Sequence, residues 1–246
     1  MGTTQHINAR ALALTAAFGF ATLLGASAEA IPVVSVSAQG LAAANAAQAA
    51  FLAGLGTSTT ESFESYAVAY YPALVTSVGT FSQVVAGNDE PLCSPHCSDG
   101  LWVLDAANSP AWGRFATDGD QWLDTNDSRE TLWTAAPFPL PTRIGFFIND
   151  PDDAGGDFTL RAWNALGGSS GLIDLVPDNL SSGKVFYVTI SDPQGLNEIR
   201  IFSNDPNDGL GIDEFTAGNP VPEPGTLGLL GAGLAAAALR ARRRRS

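Results

Sequence analysis

Histidine and basic residues are scarce in this sequence, and each scarcity removes a class of function. There are two histidines in 246 residues. His6 falls in an N-terminal stretch that reads as cleavable, which leaves His96 alone. A zinc hydrolase needs several imidazole ligands, and that count excludes one. No G-x-S-x-G occurs, and a Ser-His-Asp arrangement has only His96 to draw on. What is left is chemistry by paired carboxylates, as in glycoside hydrolysis. Acids are plentiful, but none stands out as a pair, and Asp-rich turns form for purely local hydrogen-bonding reasons. The chain reads as a non-enzyme, with a carboxylate-dependent polysaccharide hydrolase or lyase as the alternative.

Positive charge is confined to a few places. Of 25 acidic and 12 basic residues, 23 and 6 lie between Ile31 and Pro220, so this body carries a net charge of −17. Such a body is repelled by nucleic acid and by anionic membrane surfaces, and both are set aside as partners. High acidity is compatible with a divalent cation or with simple solubility. The length is enough for one domain with a sizeable core.

Long apolar runs are missing as well, and the two short ones sit at the ends. Arg10 precedes an apolar stretch from Ala11 to Leu24, with small residues at Ala28 and Ala30. A basic start, a short apolar middle and an A-x-A site make a secretory signal peptide, cleaved after Ala30. Thr226 to Leu239 is a second run of 14 uncharged residues. As a helix it spans ~21 Å against roughly 30 Å of hydrocarbon, so it is a marginal transmembrane helix. Arg240, Arg242, Arg243, Arg244 and Arg245 would hold its end in the cytoplasm. Val221-Pro222-Glu223-Pro224, the apolar segment and the terminal arginines together resemble the PEP-CTERM sorting signal of exported bacterial proteins. That resemblance implies recognition by an exosortase, a membrane-embedded cysteine protease. It also implies transient anchoring in the inner membrane, release to the cell surface or matrix, and a host that makes exopolysaccharide.

Export bears on the two cysteines. Cys93 and Cys97 lie four positions apart in CSPHC, and an oxidising compartment favours a local disulfide. The alternative, a metal held by Cys93, His96 and Cys97, lacks a recognisable fourth ligand.

Four segments are expected: a signal peptide at 1–30, an Ala-rich helical piece at 31–58, a β domain at 59–218 and the sorting tail at 219–246. Residues 38–55 are rich in alanine, the best helix former, with Ser37 as a candidate N-cap and Gly54 or Gly56 at the end. Beyond Thr57, short runs of β-formers alternate with Gly, Asp, Asn and Pro clusters. Strands are predicted at 60–66, 78–85, 101–104, 111–117, 128–134, 143–148, 158–164, 184–191, 198–203 and 212–217. Many short strands with polar turns between them argue for an all-β, antiparallel sandwich. The ordered segments TTESFESY, RIGFFINDPDD, GKVFYVTISDP, NEIRIFSND and DGLGIDEF resemble jelly-roll ectodomains found ahead of PEP-CTERM tails. Those in turn are similar to carbohydrate-binding-module and MAM-type sandwiches, in which an early Phe-Glu strand lies beside a late acidic strand. The resemblance implies a structural calcium between Glu61 or Glu64 and Asp213.

Asp150, Asp152, Asp153 and Asp157 look like the start of a calcium loop, but position twelve of an EF-hand would be Arg161 rather than Glu. Of the tryptophans at 102, 112, 122, 133 and 163, Trp122 has the most polar neighbours and is the candidate for an exposed sugar platform. The function expected is a structural or exopolysaccharide-associated role at the cell surface, with a calcium-dependent carbohydrate-binding or adhesion domain as the alternative.

Overall fold

Strands in this chain announce themselves by alternation. Phe158-Thr-Leu-Arg-Ala-Trp-Asn buries every second residue and leaves the others half-exposed, as a strand with one wet face must. The computed structural model describes residues 30–88, 96–109, 113–136, 139–152, 155–177, 180–221 and 233–234. The first half contains β1 (Val33–Val36), α1 (Leu41–Ala53), β2 (Leu55–Glu61), β3 (Ala69–Tyr71), β4 (Ala73–Val75), β5 (Gly79–Val85) and β6 (Leu101–Asp105). Then follow β7 (Gln121–Asp124), β8 (Glu130–Ala135), β9 (Arg143–Asn149) and β10 (Phe158–Asn164). The last strands are β11 (Ile173–Asp174), β12 (Val185–Ser191), β13 (Leu196–Ser203) and β14 (Gly211–Pro220).

These strands make two antiparallel sheets packed as a jelly-roll-like β-sandwich. One runs β1-β12-β9-β14-β7-β6-β3, with β2 added alongside β14; the other runs β11-β10-β13-β8-β5-β4. Phe215 sits at the middle of the core. Its ring lies 5.1 Å from Phe146 of its own sheet, and 5.0 and 5.2 Å from Phe81 and Trp133 of the other. Around it pack the buried Ile144, Ile148, Leu160, Ile199 and Ile212. Aromatic pairs at these spacings stabilise by about 0.5–1.5 kcal/mol beyond the area they bury.

The predicted strands at 78–85, 101–104, 143–148, 158–164, 184–191, 198–203 and 212–217 coincide with β5, β6, β9, β10, β12, β13 and β14 within a few residues. Of the predicted strand at 60–66, only Thr60 and Glu61 belong to β2, where Glu61 stands opposite Phe215 of β14, while Phe63 and Glu64 lie in the turn beyond it. Other expectations need correction. The helix begins after Gly40 rather than at Ser37, because the Ser37 hydroxyl accepts the Tyr187 amide instead. The 31–58 segment is not separate from the β domain: β1 pairs with β12, and β2 starts at Leu55. The alternation Val33-Val-Ser-Val was the missed signal for β1. Within the predicted strand at 111–117, residues 113–117 are irregular and cross the outside of the larger sheet. No helix among the described residues is long and apolar enough to cross a membrane. Of the expected signal peptide at 1–30 all but Ala30 lies outside the described residues, as does nearly all of the expected tail span, of which only Gly233 and Leu234 are included.

Candidate functional site

The two sheets treat their outer faces differently. On the larger sheet, α1 and the segment 113–121 cover the outside. On the smaller sheet, no described helix packs, and the outward side chains remain partly exposed.

Segment 113–121 is held across the larger sheet by polar side chains, which act as staples. Arg114 donates to both oxygens of Asp124 at 2.9 and 3.1 Å and lies 3.6 Å from Asp127, all three groups being buried. Asp124 and Asp127 hold the Arg114 guanidinium above its ordinary pKa, although burial alone would lower it. Asn149 accepts the Phe115 amide and donates to the Phe115 carbonyl. Asp213 accepts from the Thr117 amide and hydroxyl at 2.6 and 2.8 Å and from the Asp118 amide at 3.2 Å. Glu64 accepts the Asp120 and Gln121 amides at 2.8 and 2.7 Å. Gly119 has φ +70° and lies so close to Glu64 that a Cβ there would meet the carboxylate at 2.3 Å. Only glycine fits that approach.

Acidic residues elsewhere do the same work. Asp150 and Asp152 accept amides of Gly183 and Leu180, Asp192 accepts that of Gln194, and Asp208 accepts that of Gly156. Much of the acidity is therefore spent on capping backbone N–H groups in loops.

Asp213 and Glu214 form a bulge where β14 slips against β9, with Glu214 at φ 49°. Burial pushes the Asp213 carboxyl up to about 6, against the downward pull of its hydrogen bonds to Thr117, Asp118 and the Glu214 amide. Glu214 is pushed up to about 7, first by burial and then by the charges of Asp213, Asp118 and Glu64, while a hydrogen bond to Gln48 of α1 opposes the shift.

The open face is built from register. Thr159, Arg161 and Trp163 of β10 point outward, opposite Phe202, Arg200 and Glu198 of β13. Those face Glu130, Leu132 and Thr134 of β8 in turn. The guanidinium carbons of Arg161 and Arg200 lie 5.5 and 5.6 Å from the Trp163 ring centroid, within cation–π range. Arg200 also bonds Glu198 and Glu130, each at 2.6 Å. One surface thus offers an aromatic ring, guanidinium donors and carboxylate acceptors side by side.

The residues singled out from sequence are distributed as follows. Glu61 accepts the Phe63 amide at 2.9 Å and the Ser77 hydroxyl at 3.3 Å. Glu64 and Asp213 grip segment 117–121 from two sides. Among the described residues, no three His, Cys, Asp or Glu side chains converge as metal ligands. Each of Glu61, Glu64 and Asp213 accepts hydrogen bonds from backbone or hydroxyl donors, and Glu64 and Asp213 meet the same segment rather than each other directly. Asp153 lies outside the described residues, and Asp157 pairs with Asn204. Cys97 is fully buried and is not a free thiol, while Cys93 lies outside the described residues. The His96 imidazole lies 2.6 Å from Asp99 and stacks on Tyr70.

Trp122 is a correction: it is 1% exposed, not a platform. Its polar sequence neighbours belong to segment 113–121, and Arg114, Phe115, Gly119 and Asp120 line the same cavity of about 340 Å³ as its ring. Trp163 is the tryptophan on the open face. The clean alternation of β10 placed it outward, but its arginine neighbour Arg200 comes from a strand 37 positions away and could not be read from sequence. Ala30, the expected cleavage residue, is held by its carbonyl to Asn164 at 2.7 Å, whereas Ala28 lies outside the described residues. β14 ends at Pro220, and Val221 is exposed; Pro222, Glu223, Pro224 and the terminal arginines lie outside the described residues.

Comparison with known proteins adds the following. No curated protein matches the chain. Among solved structures, the K2 cleaved adhesin domain of Lys-gingipain is 11% identical, covering 65% of this chain and 97% of that one, at a TM-score of 0.43. The K1 cleaved adhesin domain of Lys-gingipain from Porphyromonas gingivalis W83 is 13% identical, covering 68% and 100%, at 0.36. The CBM22-1 xylan-binding domain from Paenibacillus barcinonensis Xyn10C is 15% identical, covering 50% and 83%, at 0.31. Residues 220–244 match the PEP-CTERM protein-sorting motif, which starts where β14 stops. The chain is an exported protein that carries an exosortase-type sorting motif behind a β-sandwich ectodomain.

Proposed function

We propose that the sandwich associates non-catalytically with a hydroxyl-rich exopolysaccharide through the open face of its smaller sheet, after the sorting tail has delivered it to the cell surface. The observation that carries this reading is Trp163 flanked by Arg161 and Arg200, beside Glu130 and Glu198. A sugar ring presents an apolar face that stacks on an aromatic ring, and hydroxyls that need both donors and acceptors. The open face supplies all three, and an uncovered sheet face gives an extended chain room to lie down. The inner membrane is a transient station, with the apolar stretch Thr226 to Leu239 and the arginines after it as the anchor.

The test is affinity electrophoresis of the full chain through gels containing polysaccharides, including the exopolysaccharide of the producing cell. Retardation of the wild type that is lost in Trp163→Ala is the expected result. Equal migration of both proteins in every gel would overturn the reading. Release of reducing ends by the wild type but not by Glu214→Gln would replace it with a hydrolase, since a carboxyl near 7 is suited to proton transfer. For the tail, replacing Pro222, Glu223 and Pro224 by alanine should leave the protein uncleaved in the membrane fraction. Secreted wild-type protein whose mass includes the intact tail would count against processing.

A further inference from the structure

The alanines of α1 leave something open beneath them. Ala44, Ala47, Gln48 and Phe51 fall on the inward side of the helix at helical spacing, and Phe51 anchors it edge-on to Tyr187 with ring centroids 5.9 Å apart. Gly145 lies under this contact. A Cβ there would meet the Tyr187 hydroxyl at 2.4 Å and the Phe51 ring at 2.8 Å, so the sheet raises no side chain at that point. Ala47 and Ala50 are too short to close the gap beyond Phe51. A groove of about 460 Å³ remains between the helix and strands β1 and β12. That volume is within the range of small-molecule sites.

Ser37 and Tyr187 line one end of the groove, and Arg143 and Ser191 line the other. Arg143 and Ser191 are cross-strand partners there, with Ser35 and Thr189 forming the next pair on β1 and β12. Arg143 is one of six basic residues in a body of net charge −17. Despite that excess of acid, the ion pairs among the described residues do not include it. Ala47, Ala50, Phe51, Val36 and Ile190 make the rest of the wall mostly apolar. A guanidinium and a hydroxyl at the end of an apolar slot match a carboxylate with a hydrocarbon body.

We infer that the groove between α1 and strands β1 and β12 binds a small amphipathic monocarboxylate, with its carboxylate on Arg143 and Ser191 and its body against Ala47, Ala50 and Phe51. This site is separate from the open face and does not depend on the glycan reading. The probe is octanoate below its aggregation threshold, titrated calorimetrically into the full chain, with 1-octanol as the uncharged control. Octanoate should bind the wild type, and Arg143→Gln should weaken it by about tenfold or more, the scale of a lost charge-assisted bond. Octanol should bind the wild type and Arg143→Gln equally. Ala47→Leu fills the groove from the inward side of α1 and should weaken both probes, with an unchanged melting curve confirming that the fold is intact. Trp163→Ala should leave octanoate binding as it is, which separates failure here from failure of the glycan reading. Absence of octanoate binding to the wild type would overturn the inference, and so would equal affinity in Arg143→Gln or no effect of Ala47→Leu.

Discussion

The two outer faces of the sandwich use the same kinds of side chain for opposite ends. On the larger sheet, Asp124 of β7, Asp213 of β14 and Glu64 just beyond β2 bond a covering layer, whose own Arg114 reaches back to Asp124, and all are consumed in holding it. On the smaller sheet, Arg161, Arg200, Glu130 and Glu198 stand on a surface that nothing described covers. Burial makes the difference. A polar group under a cover must be paired, because leaving it unpaired costs its full desolvation, whereas a half-exposed group keeps water as a partner that a ligand can displace. The covered face should therefore respond to mutation through stability, and the open face through binding.

The sharpest way to break this contrast is Arg114→Met. It would leave Asp124 and Asp127 buried without their cation, a loss of about 3–5 kcal/mol for a broken buried ion pair. At about 2–4 °C per kcal/mol, the melting temperature should drop by roughly 10 °C or more. The matching change on the open face, Trp163→Ala, should cost only about 1 kcal/mol while abolishing polysaccharide retardation. If calorimetry gave the two variants equal losses of stability, the division of labour between the faces would be wrong.

Next in size is the pH dependence of the covered face. Asp213 and Glu214 have folded-state pKa values of about 6 and about 7, above their ordinary 3.8 and 4.5. The native state then holds these protons more tightly than the unfolded chain does. Their stabilising effect is complete below the ordinary values and is lost as pH climbs through about 6 to 7. Melting temperature should accordingly fall between about pH 5 and about pH 8, and Glu214→Gln should flatten that slope. A wild-type curve that rises over the same interval would remove burial at the bulge as the controlling effect.

The smallest expected effect is that of calcium. A cation that binds only the folded form at a hundredfold excess over Kd adds about 2.7 kcal/mol. Since Glu61, Glu64 and Asp213 already have donors, melting curves in EDTA and in millimolar calcium should superimpose. An upward shift in calcium that sodium chloride at matched ionic strength does not reproduce would show that the acidic loops hold a metal after all.

Most of the strands were legible because their side chains alternate, and β10 was legible residue for residue. The predicted strand at 111–117, of which 113–117 are described, misled for a definable reason. Its β-formers satisfy local propensity, but its hydrogen bonds go to Asn149, Asp213 and Arg114's partners rather than to a neighbouring strand. Propensity does not report where a backbone amide finds its acceptor. Trp122 misled in the same way. Polar neighbours in sequence suggest solvent exposure, whereas in space they pack around a ring that is buried. Part of the candidate site was visible, since alternation in β10 places Arg161 and Trp163 on one face. Arg200 and the two glutamates join them only through the pairing of β13 with β10 and β8.

Sequence by itself determined the address and the class of this protein. The PEP-CTERM motif at 220–244 is read as a linear string, and period-two burial is a property of the strand itself. Tertiary structure decided which acids are buried under a cover and which stand on an uncovered sheet face. That question turns on what lies above each sheet, and the answer comes from contacts between residues far apart in the chain. Thr117 meets Asp213 across 96 positions, and Arg200 meets Glu130 across 70. No local pattern of residues encodes contacts of that range, because closing such loops depends on the packing of the whole sandwich.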